Sequence, residues 1–297
     1  MRKRSNRSTS AERGILSRYD LARPAVRVGY AVVLIAVAVM AASMLYPIVA
    51  TFFNALKSNP EVNSFPPKLL PKAWQWSNFA EGWDFIPLYS YLCNTLAIFL
   101  GNLAASVVVL GLAAFSLSRL NVPRAKAFQL FFLTTLFIPP TTYLIPNFIN
   151  LKDLGLLNSY WAFWLPAGAN AFYLLLLKNF FDQIPMETIE AARIDGASEL
   201  RCFARIALPL SVPIFSTLSI FLFASAWNDW FWPSLVMHGD DTYPLATAVY
   251  KYVINARRLD LNVRFAILLL VMTPPILVFL AFQRFIIRGL HLGGVKG

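Results

Sequence analysis

Residues 190–209 read Glu-Ala-Ala-Arg-Ile-Asp-Gly-Ala-Ser-Glu-Leu-Arg-Cys-Phe-Ala-Arg-Ile-Ala-Leu-Pro. After the N-terminal tail this is the most charged part of the chain, and long uncharged runs flank it: Leu154–Leu177 before, Ile206–Asn228 after. Working outward, Val28–Leu56, Phe85–Ser118, Ala127–Leu151 and Phe265–Gln283 are also free of charge. A helix needs about 20 residues to cross a hydrocarbon core, and each run is long enough. The chain is 58% hydrophobic and only 14% charged, with a mean hydropathy of +0.57, outside the usual range of soluble domains. The reading is an all-α polytopic membrane protein with six transmembrane helices, at about 28–53, 88–118, 127–150, 160–178, 207–235 and 265–286. The first run follows a basic segment, as in a signal peptide, but is far longer than the 7–15 residues of an h-region, so a retained helix is expected.

The net charge of +11 does not point to nucleic acid, because eight of the 26 basic residues precede the first apolar run. Basic residues against a span edge are topology and headgroup determinants. Residues 1–27, 119–126, 178–205 and the C-terminal tail hold 18 Lys/Arg, against eight in the alternate connections. By the positive-inside rule both termini and the 178–205 loop face the cytoplasm, N-in/C-in. Residues 1–27 are then a basic cytoplasmic tail, 28–288 the six-helix span domain with an internal loop at 183–205, and 289–297 a cytoplasmic tail. Cys93 and Cys202 fall on opposite sides and cannot pair. His238 and His291 are isolated, so no metal site is expected.

Within the internal loop, Ile189, Ala192, Gly196, Leu200 and Phe203 recur at helical spacing and predict one shared face. Asp195-Gly196 interrupts that pattern, which predicts two short helices joined at the glycine. Two readings fit: an amphipathic connector lying on the bilayer, or a knob that enters a cleft on a cytosolic protein. Ala191, Ala192, Gly196 and Ala197 are small enough for close protein contact, and the five acidic residues of Asp182–Glu199 would be repelled by anionic lipid.

Glu190-Ala191-Ala192, then Gly196, Ile206 and Leu208-Pro209 match the EAA pattern of ATP-binding-cassette importer permeases. With Asp195, Ala197, Ser198 and Phe203 the segment resembles the carbohydrate-importer subfamily, similar to the smaller permease of maltose-type systems. Further pieces follow in order: Ile138-Pro139-Pro140, Gly155-Leu156-Leu157-Asn158-Ser159-Tyr160, Trp227-Asn228-Asp229, Tyr243-Pro244-Leu245-Ala246 and the terminal Gly293-Gly294-Val295-Lys296-Gly297. The resemblance runs from about residue 28 to the end and implies a type I importer fold. It implies that Glu190, Ala191, Ala192, Asp195, Gly196, Ala197 and Phe203 couple the chain to a cytosolic ATPase dimer. It implies that the C-terminal tail reaches toward that dimer and that Met237–Asn262 reaches toward an extracytoplasmic solute-binding protein. A second permease subunit would complete a heterodimer in the membrane lipid.

The chain has no G-x-x-x-x-G-K-[ST] phosphate loop, so it is expected to bind no nucleotide, use no cofactor and catalyse nothing. Polar residues inside spans face either a pathway or a partner helix. Asn94, Asn102, Asn228 and Asp229 are the candidates for the path, with Asn147, Asn150 and Asn170 as further amides. Packing between helices is the alternative for each. The function expected is import of a sugar or oligosaccharide by alternating access, with glycerol phosphate, a polyol or a sugar acid as the alternative cargo. An ion-coupled transporter would need ionisable residues in mid-span, and a membrane-embedded enzyme a cluster of His, Asp or Glu at one face; neither pattern is present.

Overall fold

Apolar runs in lipid can satisfy their backbone groups only within helices or closed barrels. The computed structural model describes residues 23–256 and 259–293, of which 281–293 without their side chains, and contains no strand among them. Helix α1 is Pro24–Ala55, with proline in the first turn where a missing N–H costs nothing. Then follow α2 (Ser77–Phe85), α3 (Leu88–Arg119) and α4 (Ala125–Thr135). Next come α5 (Pro140–Asp153), α6 (Trp161–Ala167) and α7 (Ala171–Phe181). The loop helices are α8 (Met186–Ile194) and α9 (Glu199–Leu210). Last are α10 (Val212–Asn228), α11 (Phe231–Val236), α12 (Leu245–Ile254) and α13 (Leu261–Gly293).

Three helices, α1, α3 and α13, are by themselves long and apolar enough to span a membrane, and counting bent pairs as single spans gives five. The run expected over 127–150 is bent by 94° between α4 and α5. Pro139 and Pro140 cause the break, since each lacks an N–H and crowds the preceding turn. Between α9 and α10, where Pro209 and Pro213 lie close together, the bend is 77°. The run expected over 160–178 is divided: α6 ends at Gly168, and α7 starts afresh with the Asn170 side chain accepting from the Tyr173 N–H at 3.0 Å. The sixth run, expected at 265–286, lies within α13, which continues through Pro274 and Pro275.

Two apolar clusters organise the bundle. One surrounds the start of α3, with Tyr91, Ile98, Trp227, Met237, Val253, Val263 and Ile267. The other surrounds its finish, with Phe115, Leu177, Phe181, Ile189, Phe203, Phe215 and Leu218. A 32-residue helix is about 48 Å long, so the clusters sit at opposite ends, and Phe99 packs against both. In mid-bundle α3 meets α6 closely at Gly101, where a Cβ would lie 1.9 Å from Trp164 Nε1.

The apolar stretch of α1 is unburied, and the helix is held near its C-terminal end. There Lys57 is 3% exposed, and its ammonium donates to Asn54 Oδ1 at 2.7 Å and to the Lys68 carbonyl. Asn78 donates to the carbonyls of Ala55 and Lys57 at 2.8 and 2.9 Å and accepts from Asn262 Nδ2 at 3.0 Å. One buried amide thus ties the end of α1 to α2 and α13. Asn78→Ala strands these groups, and each unpaired buried group costs about 1–3 kcal/mol. The expected result is a clear fall in apparent Tm in detergent; an unchanged melt would show that water replaces the amide.

Candidate functional site

The charged loop folds as a helix, a glycine turn and a second helix. α8 ends in a Schellman turn: the Ala197 N–H donates to the Ala192 carbonyl at 2.9 Å and that of Gly196 to Arg193 at 3.0 Å. Gly196 has φ +83°, a left-handed backbone that side chains disfavour, and open space lies where its Cβ would be. Ser198 then caps α9, its hydroxyl accepting from the Arg201 N–H at 3.4 Å. The break expected at Asp195-Gly196 is where the two helices part.

This turn sorts the coupling candidates into two sets. Glu190, Ala191, Asp195 and Gly196 are exposed. Ala192 and Ala197 are half-buried against the cluster at the finish of α3. Phe203 is buried, its ring 5.6 Å from Phe115 and 6.4 Å from Phe181. It therefore has no surface for a partner and acts as the anchor of the loop. The single face expected over Ile189, Ala192, Gly196, Leu200 and Phe203 forms only in part: Ile189, Ala192 and Phe203 meet one cluster, while Gly196 is exposed and Leu200 is 65% exposed. The left-handed turn redirects the axis, so helical phase is not carried across it. The result is an outward vertex on which Ile194, at 86% exposure, and Leu200 flank Gly196. Glu190, Asp195 and Glu199 are exposed on the same loop. Arg193 pairs with Glu199 through two contacts of 2.8 and 3.1 Å, and this carboxylate holds the guanidinium pKa above its ordinary value.

At the opposite end, the 237–245 segment and α12 are pinned by side chains distant in sequence. Asn94 donates to the carbonyls of Asp241 and Tyr243 at 2.7 and 3.0 Å and accepts from the Tyr160 hydroxyl at 2.8 Å. Thr95 Oγ1 accepts from the Leu245 N–H at 2.8 Å. Asn158, at φ +56°, accepts from the His238 N–H at 2.9 Å and from the Thr242 hydroxyl at 3.2 Å. Tyr252 donates to Asp240 and packs on Tyr91; burial first, and then Asp240, keeps its phenol well above the ordinary tyrosine range. The Gly155–Tyr160 and Tyr243–Ala246 motifs thus meet in space.

The path candidates also divide. Asn94 is fully engaged in this clasp. Asp229 caps α11, accepting from the N–H groups of Phe231 and Trp232 at 3.2 and 3.1 Å. Asn170 caps α7. Asn228 is exposed and donates within its own helix to Ala224 at 2.7 Å. Asn102 keeps a buried Oδ1 with no partner in mid-bundle. Asn147 is half-buried and Asn150 exposed on α5. The C-terminal residues 294–297, the 1–22 part of the basic tail, and Arg257 and Arg258 lie outside the described residues.

Two residues that carry most of the loop's polar attachment, Arg119 and Arg193, are not in the EAA pattern. An arginine placed where an apolar run meets a loop is the signal that marks Arg119, since such residues cap the carbonyls at helix ends.

Residues 107–292 match the model of the family described as "Binding-protein-dependent transport system inner membrane component". The chain is 31% identical over 256 residues to the sn-glycerol-3-phosphate transport system permease protein UgpE of Pectobacterium atrosepticum, covering 84% of this chain and 91% of that one. It is 32% identical over 225 residues to the polygalacturonan/rhamnogalacturonan transport system permease protein YtcP of Bacillus subtilis, covering 71% and 78%. The match to Protein LplC of Bacillus subtilis is 35% over 167 residues and spans 52% of this chain and 57% of that one. In fold, the chain is similar to a chain of a bacterial ABC transporter involved in the import of the acidic polysaccharide alginate, at a TM-score of 0.80, 24% identity, 91% of this chain and 99% of that one. With more than half of its length matched and a relative aligned almost end to end, the chain belongs to the binding-protein-dependent transport system inner membrane components, the non-catalytic permease subunits of ABC importers.

Proposed function

We propose that this permease imports a sugar, an oligosaccharide or a related polyhydroxylated solute, and that the vertex at Gly196 is where the ATPase engages it. The observation that carries the proposal is the sorting of the loop: Glu190, Ala191, Ile194, Asp195 and Gly196 face outward while Ile189, Cys202 and Phe203 are locked into the core. Such a loop is rigid on one side and available on the other. The cargo class is supported by the names of relatives, one for glycerol-3-phosphate and one for polygalacturonan/rhamnogalacturonan.

In this reading six spans cross the membrane, α6 and α7 together making the fourth, and the Gly196 end is cytoplasmic, as the basic-residue count favours. The Tyr243–Ile254 end then faces outward, toward the solute-binding protein. The uncovered apolar side chains of α1 and of the α4–α5 bend, among them Phe137 at 87% and Ile145 at 66% exposure, supply surface for lipid and for a second permease subunit. Asn102, with its unpaired oxygen, is the better of the path candidates. Closure of the ATPase pair would press on the loop and rock the bundle between its two openings.

The test is purification of the tagged chain from its own cell in mild detergent. A second permease, an ATPase and a solute-binding protein are expected, with uptake that stops when ATP is withdrawn. Uptake by the chain alone in vesicles, indifferent to ATP, would end the proposal.

A further inference from the structure

The loop is attached to the bundle by an arginine linkage as well as by its apolar side. Arg119, the last residue of α3, donates its Nη2 to the carbonyls of Phe181 and Ile184, which close α7 and precede α8. Its Nη1 lies 3.7 Å from the Met186 sulfur at the start of α8. Arg193, in the last turn of α8, returns the contact by donating from Nη2 to the Arg119 carbonyl at 3.1 Å. The same side chain forms the two-point pair with Glu199 across the Gly196 turn. Beside them Ser118 donates to Asp182 at 2.6 Å, and Asp182 pairs with Lys178 at 2.7 Å. Polar contacts and the short link between α7 and α8 therefore form a closed ring through α3, α7 and α8, to which the Arg193–Glu199 pair joins α9.

We infer that Arg119 and Arg193 are positioning residues that make the loop and the ends of α3 and α7 move as one body, so that force at the Gly196 vertex reaches the spans. A guanidinium suits this task because its planar fork reaches several acceptors in fixed directions, which an ammonium does not. The carbonyls it takes lie at the end of α7 and in the link that follows, that of Phe181 also accepting from the Ile184 N–H, and at such a helix end the dipole favours a cation. Without the ring, a four-residue link, Asp182–Pro185, joins α7 to α8, and the loop keeps only its apolar side in contact with α3. The inference rests on the loop being the element that the ATPase engages.

The experiment uses the complete transporter in proteoliposomes and reads ATP hydrolysed per solute imported. A reporter cysteine from Glu187→Cys, on the exposed side of α8, measures crosslinking of the loop to the ATPase. Arg193→Ala and Arg119→Lys are expected to raise the ATP-to-solute ratio by about tenfold or more, as for loss of a charge-assisted hydrogen bond, with crosslinking yield unchanged. Arg119→Lys keeps the charge and removes the fork, so the ring can be tested even if Arg119→Ala does not insert. A ratio that stays constant while hydrolysis and import fall together would overturn the inference, because it is the mark of a purely structural role. Glu190→Ala in the same vesicles separates the two readings. If it uncouples and the arginine variants do not, the ring has no coupling role; if Glu190→Ala also leaves both the ratio and the crosslink untouched, the docking reading fails.

Discussion

Gly196→Val should leave the protein in the membrane at its usual level yet lower ATP-dependent uptake by about 30-fold or more. The chain itself pays a limited cost for the substitution. A side chain at φ +83° adds about 1–2 kcal/mol of local strain, and no atom lies within 4 Å of the new Cβ. The larger effect comes from outside. Gly196 forms the outermost point of the loop between Ile194 and Leu200, where a partner's backbone can come close only if nothing protrudes. Losing one well-packed contact of that kind costs about 2 kcal/mol, which is the 30-fold. Gly155→Val is the control. Gly155 has φ +68° and equally open surroundings, but it follows α5, whose neighbouring motif pins the opposite end of the bundle. Membrane content by immunoblot and uptake in the assembled transporter should separate the two. Equal losses would assign the effect to backbone strain and remove the docking argument.

The second large effect is expected at Gly101. Alanine there places a Cβ 1.9 Å from Trp164 Nε1 and 2.1 Å from Cε2, so the indole has to leave its site. With it goes the 3.3 Å hydrogen bond from Nε1 to the Ala97 carbonyl and the packing of Trp164 against Tyr160 and Trp161. Overpacking of a tight contact costs about 1–3 kcal/mol and sometimes more. Gly101→Ala should therefore depress the apparent Tm strongly, and Gly101→Ala combined with Trp164→Ala should lose less than the two single changes added together. A double variant that is simply additive would show that the two positions do not touch.

These two glycines differ in how well they could be read in advance. Gly196 sits in a charged segment with a breaker before it, and the turn follows from Asp195-Gly196 and the apolar spacing around it. Gly101 lies in an uncharged run with no breaker before it, and its near neighbour is 63 residues away, at Trp164. The uncharged runs locate α1, α3 and α13 because length and hydropathy are local properties. The bends need more: Pro139 and Pro140 announce a break, but a 94° angle depends on what α4 and α5 pack against. Asn94 looked like a pathway residue because an amide in a span is expensive. Its partners, Asp241 and Tyr243, are 147 and 149 residues distant, and no periodicity reveals them. Helical spacing puts Leu200 on the face of Ile189, but the turn between them does not preserve phase. In sequence Arg119 is one of the basic residues that orient the chain. Its grip on Phe181 and Ile184 appears when α3 and α7 are brought side by side.

Within α3, residues Ser106–Leu110 form a wide π-helical turn before the α-helix resumes at Gly111. Such a turn holds one residue more than an α-helical path of the same length, and each residue turns the helix by about 100°. A helical wheel drawn from Leu88 therefore misplaces everything after Leu110 by that angle. Phe115 and Arg119 face α7 and the loop because of the extra residue. The number of residues in Ser106–Leu110 is thus a determinant of the arginine ring in its own right, and a one-residue gap there would be a change of direction at the far end of the helix.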